Sequence, residues 1–203
     1  LANQFARYAD AVGIDVARVI EACNSQPYSH IHRPGIAVGG HCIPVYPRLY
    51  LAGDPDATVV SVARAANAGM PAYTVSRAAA LLGSLEGLRV AVLGAAYRGG
   101  VKETAFSGVF GVVDALREAG AQVSVHDPLY SDNELAAFGW DAYHLGEPVD
   151  VAIVQADHAA YRDLAPADLP SVRLLVDGRA ITSPEAWAGT PRITIGGGSA
   201  PAC

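Results

Sequence analysis

The spacing of apolar residues predicts that the chain begins with helices. Over residues 1–12, apolar side chains recur every three or four positions, which is the period of an amphipathic helix. Gly13 ends this pattern, and Asp15 stands where a cap residue would precede a second helix over residues 16–23. Two short helices are therefore expected before residue 24.

An irregular stretch separates these helices from two more. Residues 24–47 contain four prolines and three glycines without a sustained period, and such a long irregular segment in a compact domain is usually functional. Helical spacing returns over residues 48–52 and again over 57–82. Pro71, close behind Gly69, is expected to kink or interrupt the second run. The alanines of that run would allow close packing against a second copy of the chain.

From residue 87 onward, short apolar runs alternate with helical segments. Strands are predicted at 88–93, 122–126, 150–154, 172–176 and 192–195, with helices at 107–119 and 131–138. Strands that alternate with helices indicate a parallel sheet with right-handed crossovers. The predicted fold class is therefore α/β, with a helical domain over 1–85 and a Rossmann-like domain over 86–203. The tail over 196–203, rich in Gly, Ala and Pro, is expected to be loose.

Composition excludes several classes of protein. Hydrophobic residues make up 51% and charged residues 17%, which is enough apolar material for a sizeable core. The net charge is -6 without a basic stripe, which argues against nucleic acid as a partner. No apolar run approaches the roughly 18–20 residues that a membrane span needs.

The cysteines indicate the compartment, and the first residues suggest a longer protein. Cys23, Cys42 and Cys203 are too few for a disulfide framework, so a reducing, cytoplasmic location is expected. Leu1 and the residues after it form neither a start methionine nor a signal peptide. Because they read like the middle of a helix, we expect the chain to be a fragment.

The strongest candidate for chemistry is Cys42, in the run Val-Gly-Gly-His-Cys-Ile-Pro over residues 38–44. A cysteine after two glycines can lie where the backbone approaches a ligand closely. If Cys42 begins the following helix, the helix dipole would favour the nucleophilic thiolate, and a protonated His41 would act in the same direction. Two other interpretations are a buried structural cysteine and a metal site, whose ligands would be His30, His32, His41 and Cys42.

The turn after the first predicted strand is a second candidate. Residues 94–100 are glycine-rich but lack the G-x-G-x-x-G dinucleotide fingerprint. They follow a strand, at the edge where open α/β sheets bind ligands, and Arg98 and Lys102 would put positive charge beside a phosphate. Both could equally be solvated surface cations. Asp127, at the end of the second strand, could bind a ribose hydroxyl or could cap a turn.

Taken in order, these segments resemble the nucleotide-sugar 6-dehydrogenases, the family of UDP-glucose and UDP-N-acetylmannosamine dehydrogenases. Residues 34–44 resemble the catalytic-cysteine loop of the family, in the variant typical of the N-acetylmannosamine-type branch. Residues 64–71 resemble its long central helix, and 90–98 resemble the opening of its C-terminal UDP-binding domain. Residues 126–128 and 156–158 resemble later landmarks of that domain.

The resemblance implies an organisation in three domains, of which this chain matches two. Family members have an N-terminal NAD-binding Rossmann domain, a central helical dimerisation domain and a C-terminal UDP-binding domain. Residues 1–85, with the cysteine loop at 24–47, would be the helical dimerisation domain, and residues 86–203 would be the UDP-binding domain. NAD would be bound mainly by the N-terminal domain, and the catalytic lysine of the family would also lie outside this chain. The fragment alone is therefore expected to be inactive, and a homodimer is expected.

The mechanism implied by the resemblance is a four-electron oxidation of the C6 alcohol of a UDP-sugar. A first hydride goes to NAD, Cys42 captures the aldehyde as a thiohemiacetal, and a second hydride leaves a thioester that water cleaves to the uronic acid. Tyr46 stands where the family usually has an aspartate, and a phenol is a poor base at neutral pH. The substrate-binding candidates are Gly39, Gly40, His41, Arg33, Tyr97, Arg98 and Lys102.

Two other functions remain open at the level of the sequence. The chain could be a nucleotide-sugar binding module without redox activity, which Tyr46 would suit. Residues 87–195 could instead form a complete NAD-binding domain, although the missing glycine fingerprint counts against it.

Overall fold

Helices precede the first strand, as the sequence predicts. The computed structural model describes residues 1–198, so Cys203 and the end of the predicted loose tail lie outside the described residues. Asp15 caps the second helix, because its side chain accepts a hydrogen bond from the Ala17 amide at 2.9 Å. Within residues 1–198 the helices before the sheet are α1 (Ala2–Val12), α2 (Val16–Asn24), α3 (Cys42–Gly53), α4 (Thr58–Ala68) and α5 (Met70–Leu82).

Helix α3 begins six residues earlier than predicted. The prolines at 44 and 47 argue against a helix in the sequence, but α3 starts at Cys42 and contains both. Pro44 falls in the first turn, where backbone amides have no partner within the helix and a missing N–H costs little. The predicted interruption after Gly69 is confirmed, because Gly69 separates α4 from α5 and Pro71 lies in the first turn of α5.

The remainder of the described chain forms a six-stranded parallel sheet, which confirms the predicted α/β class. Its strands lie in the order β3-β2-β1-β4-β5-β6. Their ranges are β1 (Arg89–Leu93), β2 (Gln122–His126), β3 (Asp141–Ala142), β4 (Val151–Val154), β5 (Leu174–Asp177) and β6 (Arg192–Thr194). The two-residue β3 has no counterpart in the prediction. The order reverses direction between β1 and β4, which makes the carboxyl ends of these two strands the switch point where doubly wound sheets bind ligands.

Two helices connect strands of the sheet, and the helical part of the chain packs against the sheet. Helix α6 (Gly108–Glu118) joins β1 to β2, and α7 (Asp132–Ala137) joins β2 to β3. One buried cluster contains Ile20 and Met70 from the helical part together with Val92 and Val176 from the sheet. A second cluster, around Tyr161, Leu169 and Trp187, covers other side chains of the same strands. The helical part and the sheet therefore share one apolar core. No helix within residues 1–198 is long and apolar enough to cross a membrane.

The end of the sheet is joined to the first helix through Asp10. This carboxylate is 1% exposed and accepts hydrogen bonds from the Gly196 amide at 3.1 Å and the Tyr73 hydroxyl at 2.8 Å. Arg77 lies 3.8 Å away and offsets its charge. Burial and the bond to Asp10 raise the pKa of Tyr73 to about 12, so its hydroxyl stays a donor at any ordinary pH. Helices α1 and α5 and the residues after β6 thus meet at one buried charge.

Candidate functional site

The thiol of Cys42 is free and exposed at the first residue of α3. The condition stated for a nucleophilic thiolate, that Cys42 begins the following helix, is therefore met, although a helix was predicted only from residue 48. The alternative of a buried structural cysteine does not hold. His41 precedes it as the N-cap residue, with an exposed side chain that makes no capping bond. The sulfur thus lies at the positive end of a twelve-residue helix, where a ligand can reach it.

The two glycines before Cys42 hold its loop against the connection between β1 and α6. A Cβ at Gly39 would lie 2.6 Å from the Cβ of Tyr97 and 2.7 Å from the Phe106 carbonyl oxygen, so only glycine fits there. Gly40 has φ +87° and donates its amide to the Ala105 carbonyl at 2.8 Å. The Gly-Gly pair therefore seats the cysteine loop on the connection that carries Tyr97.

Arg179 is a candidate functional residue that the sequence analysis missed. It follows β5, and its Nη2 donates to the Tyr97 carbonyl at 2.9 Å while its side chain packs against Gly35. Its Nε is buried and has no hydrogen-bond partner within residues 1–198. Burial lowers the pKa of this guanidinium, against the opposing pull of Asp157 and Asp177. Residues 94–100 were selected as a candidate because they follow a parallel strand at its carboxyl end. The same criterion, applied to β5, would have selected Arg179.

Two buried side chains, Asp127 and His158, and one exposed side chain, Asp157, accept hydrogen bonds from the backbone of residues 95–100. Asp127 accepts from the amides of Ala95 at 2.8 Å and Ala96 at 3.0 Å. Asp157 accepts from Gly99 at 2.7 Å, and His158 accepts from Gly100 at 3.3 Å.

Asp127 also interacts with His158, and this pair settles the role of Asp127. The Nε2 of His158 lies 3.1 Å from the Asp127 carboxylate, so His158 donates from that nitrogen while its Nδ1 accepts. Burial opposes ionisation of Asp127, but the bonds from His158, Ala96 and Leu129 outweigh it and lower the pKa of this carboxyl. Of the two predicted roles, the turn cap is the one observed, since the carboxylate is engaged by its own chain.

The predicted cations lie in different surroundings. Arg98 is exposed, and its guanidinium lies 5.7 Å from the centre of the Tyr97 ring. Arg33 is exposed at the start of the cysteine loop. The ammonium of Lys102 lies 2.6 Å from Glu134 on α7. Tyr97, Arg98 and Arg179 thus lie together beside the loop, whereas Lys102 is ion-paired with a carboxylate.

The sheet does not fit a dinucleotide in the usual manner. In dinucleotide-binding domains a pyrophosphate sits at the N-terminus of the helix after β1. Here Ser107 caps that helix, and a Cβ on its first residue, Gly108, would lie 3.0 Å from Ala37 of the cysteine loop. The loop therefore covers the place of the pyrophosphate, and Asp127 is not available for a ribose.

The alternative metal site is not assembled by the fold. Among residues 1–198, no group of three or more His, Cys, Asp or Glu side chains comes together to hold a metal ion. His30, His32 and His41 are all exposed along the loop.

The described chain is an α/β protein whose doubly wound parallel sheet carries arginine side chains and a thiol-bearing loop at its carboxyl edge. Comparison with known families narrows the class. Residues 1–68 match the central domain of the UDP-glucose/GDP-mannose dehydrogenase family, and residues 91–184 match its UDP-binding domain. The chain belongs to the UDP-glucose/GDP-mannose dehydrogenase family.

Individual relatives agree with this assignment. The chain is 30% identical over 196 residues to UDP-N-acetyl-D-mannosamine dehydrogenase from Methanocaldococcus jannaschii, covering 92% of this chain and 44% of the relative. A structure of UDP-D-ManNAc dehydrogenase from Pyrococcus horikoshii has a TM-score of 0.80 at 29% identity, covering 97% of this chain and 48% of that one. A UDP-glucose dehydrogenase from Pyrobaculum islandicum has a TM-score of 0.81 at 26% identity, covering 96% and 46%. The chain thus spans less than half the length of the curated relatives it matches.

Proposed function

We propose that this chain forms the helical and UDP-binding portions of an NAD-dependent nucleotide-sugar 6-dehydrogenase, with Cys42 as its nucleophile. The observation that carries the proposal is the exposed thiol at the start of α3, on a loop packed against Tyr97 and Arg179 at the carboxyl edge of the sheet. The division into domains at 1–85 and 86–203 is part of the proposal. It is supported by the last helix before the sheet, which ends at Leu82, and by the first strand, which begins at Arg89. A reducing cytoplasm would keep the thiol free.

The nucleotide would bind beside Tyr97. Arg98 is exposed there, and Arg179 has a buried Nε that lacks a partner within the described residues. Planar guanidinium groups suit the oxygens of a diphosphate. Arg33, Gly39, Gly40 and His41 would line the approach from the loop. Lys102 would contribute little of its charge unless the nucleotide displaced Glu134.

The thiol would act on the aldehyde at C6 of the sugar. The thiolate of Cys42 adds to the carbonyl carbon, the C=O π electrons move to oxygen, and that oxygen takes a proton to give a thiohemiacetal. Captured in this way, the carbon carries a hydride that can be removed. The oxidations need an NAD acceptor that the residues of this chain do not fit, so NAD would bind to a part of the enzyme outside this sequence. The chain alone should then give no NAD reduction with a UDP-sugar.

Tyr46 favours a second candidate, a nucleotide-sugar binding module without redox activity. It lies four residues after Cys42 on α3, on the same face of the helix, with 63% of its surface exposed. A phenol there is a weak base for releasing a thioester. Carbon NMR of a UDP-sugar 6-aldehyde labelled with 13C at C6 separates the two candidates. The enzyme proposal expects a thiohemiacetal signal that is lost in Cys42→Ser and kept in the matched control Cys23→Ser, whereas the binding module expects no such signal.

The helical part would pair with a second copy. Within the described structure, α4 buries none of its residues, and several large apolar side chains are exposed on α3 and α4. These are Ile43, Leu49, Tyr50, Val59 and Val62. A surface of this kind usually marks an interface. Sedimentation should find a dimer that Val62→Glu dissociates, while the matched control Leu145→Glu, at a residue 40% exposed in the sheet part, leaves it intact.

Calorimetric titration of the 203-residue chain with UDP, and separately with NAD, tests the nucleotide site. UDP should bind and NAD should not. Arg98→Gln should weaken UDP binding about tenfold, because one charge-assisted contact is lost. Arg173→Gln makes the same charge change at the exposed residue just before β5, at the opposite edge of the sheet, and should have no effect. Binding of NAD without UDP would refute the proposal.

A further inference from the structure

Asparagine side chains from three different helices hold the backbone of the cysteine loop. Between α2 and α3 the chain has no helix or strand of its own from residue 25 to 41. A segment without regular structure must find partners for its backbone elsewhere. Asn24 on α2, Asn67 on α4 and Asn3 on α1 supply them at Ile31, Val38 and Gly35 respectively.

Two of these asparagines bind both polar groups of a single loop residue. The Oδ1 of Asn24 accepts from the Ile31 amide at 2.8 Å, and its Nδ2 donates to the Ile31 carbonyl at 2.9 Å. Asn67 does the same at Val38, with its Oδ1 2.9 Å from the amide and its Nδ2 3.3 Å from the carbonyl. Each side chain therefore replaces the neighbouring strand that the loop lacks.

The third asparagine, Asn3, links the contact at Val38 to a further contact at Gly35. Asn3 is 7% exposed; its Oδ1 accepts from the Gly35 amide at 2.9 Å, and its Nδ2 donates to the Oδ1 of Asn67 at 3.1 Å. The Oδ1 of Asn67 thus receives both Val38 and Asn3. Gly35 and Val38 each donate a backbone N–H, so Asn3 and Asn67 must each direct the side-chain oxygen toward the loop. Rotating either side-chain amide by half a turn would therefore break a hydrogen bond.

The loop residues that the asparagines bind lie at or just before the glycines that contact Arg179 and Tyr97. Gly35 packs on Arg179, and Gly39 and Gly40 pack on Tyr97. Cys42 follows two residues after Gly40, at the start of α3. A shift at Val38 would therefore move the thiol relative to both Tyr97 and Arg179.

We propose that Asn3, Asn24 and Asn67 are positioning residues that hold the cysteine loop in the geometry needed to present Cys42 beside the nucleotide. The functional part of this inference rests on the proposed function, which takes Cys42 as the nucleophile and the Tyr97 edge as the UDP site. The structural part does not, because it concerns only which amides of the loop are protected.

Hydrogen exchange of the 203-residue chain, read at single amides, tests the structural part. Asn67→Ala should lower the protection of the Val38 amide at least about tenfold, since the amide loses the Asn67 oxygen as its acceptor. Asn67→Asp keeps the oxygen that accepts from Val38 and Asn3 but places a second oxygen opposite the Val38 carbonyl, so it should retain only part of that protection. Asn133→Ala is the matched control, because Asn133 is an exposed helical asparagine on α7 and should change nothing at the loop.

UDP titration of the same variants tests the functional part. Asn67→Ala should weaken UDP binding about tenfold. Asn67→Asp should weaken it less, and Asn133→Ala should leave it unchanged. If the unmodified chain does not bind UDP, the proposed function fails, and the exchange data still decide whether the asparagines hold the loop. Wild-type protection at Val38 in Asn67→Ala would overturn the inference.

A second variant keeps the test valid if Asn67→Ala does not fold. Asn24 contacts the loop only at Ile31 and is half-buried. Asn24→Ala should therefore lower the protection of the Ile31 amide while leaving those of Gly35 and Val38 unchanged. Unchanged protection at Ile31 would contradict the inference.

Discussion

Replacing Asp127 by asparagine is the sharpest test of how the nucleotide edge is held together. The carboxylate lies at the end of β2 and is fully buried. One oxygen, Oδ2, receives the amides of Ala95 and Ala96 and the Nε2 of His158, and the other receives the amide of Leu129 at 2.9 Å. Asparagine has nearly the same shape, so Asp127→Asn changes the hydrogen bonding and the charge with little change in packing.

The expected loss of stability follows from the number of hydrogen-bond donors that surround Asp127. Asparagine offers one accepting oxygen, so at least one of the four donors would face an NH2 group. A buried donor left unsatisfied costs about 1–3 kcal/mol, and the remaining bonds lose the assistance of a charge. The variant no longer buries a charged carboxylate, and this gain offsets part of the loss. We expect Asp127→Asn to lower the free energy of unfolding by about 2–4 kcal/mol, a large part of the total for a domain.

Urea unfolding over a range of pH provides the assay. Because the pKa of Asp127 is lowered in the folded state, its ionised form stabilises the fold above the ordinary carboxyl range, and this stabilisation is lost as pH falls through the folded pKa. The difference between the chain and Asp127→Asn should therefore be constant near neutral pH and shrink in acid. Asp114→Asn, an exposed change on α6, should stay within about 0.5 kcal/mol. A difference below about 1 kcal/mol at neutral pH, or one that grows in acid, would refute the reasoning.

Two further predictions concern the same edge of the sheet. Gly39→Ala should lower both the UDP affinity and the thermal unfolding midpoint, because the new Cβ would lie 2.6 Å from the Cβ of Tyr97. Gly53→Ala is the control and should change neither, because a Cβ at this end of α3 would have nothing within 4 Å. Equal effects of the two substitutions would contradict the close packing at Gly39. The carboxyl of Glu134 should titrate by NMR with a pKa of about 2, since Lys102 and the Ser131 backbone hold its charged form. Lys102→Met should raise that pKa, and an unchanged value would show that the pair does not form in solution.

Local patterns were sufficient for most of the fold. The strand predicted at residues 122–126 matches β2 because it is a short apolar alternation between clear turn signals. Strand β3 was not predicted because a strand of two residues, Asp141 and Ala142, is too short to show a periodic pattern. Its position is set by pairing with residues 124 and 125. The start of α3 was missed because prolines mask a helix in sequence, although one in the first turn costs little.

The candidate site was predicted only where its residues follow one another in the chain. The two glycines before Cys42 identify it as a candidate, whereas its place at the start of α3 depends on a helix that the prolines mask in the sequence. Arg179 approaches Tyr97 from 82 positions away, and the amides of residues 95–100 are held by side chains about 31 and 58 positions later. Pairing across such distances depends on the strand order, which local periodicity does not contain.

The bond between Asp10 and Gly196 has a consequence for the order of folding. It joins positions 186 residues apart, and the Gly196 carbonyl also accepts from Val16 at 2.8 Å. During synthesis, α1 leaves the ribosome long before the residues that complete its packing, since translation adds about 5–20 residues per second. Helix α1 therefore exists for many seconds with its apolar face uncovered. Folding of the helical part is therefore coupled to the last strand, and a nascent chain that stalls before β6 should expose this face to chaperones or to aggregation.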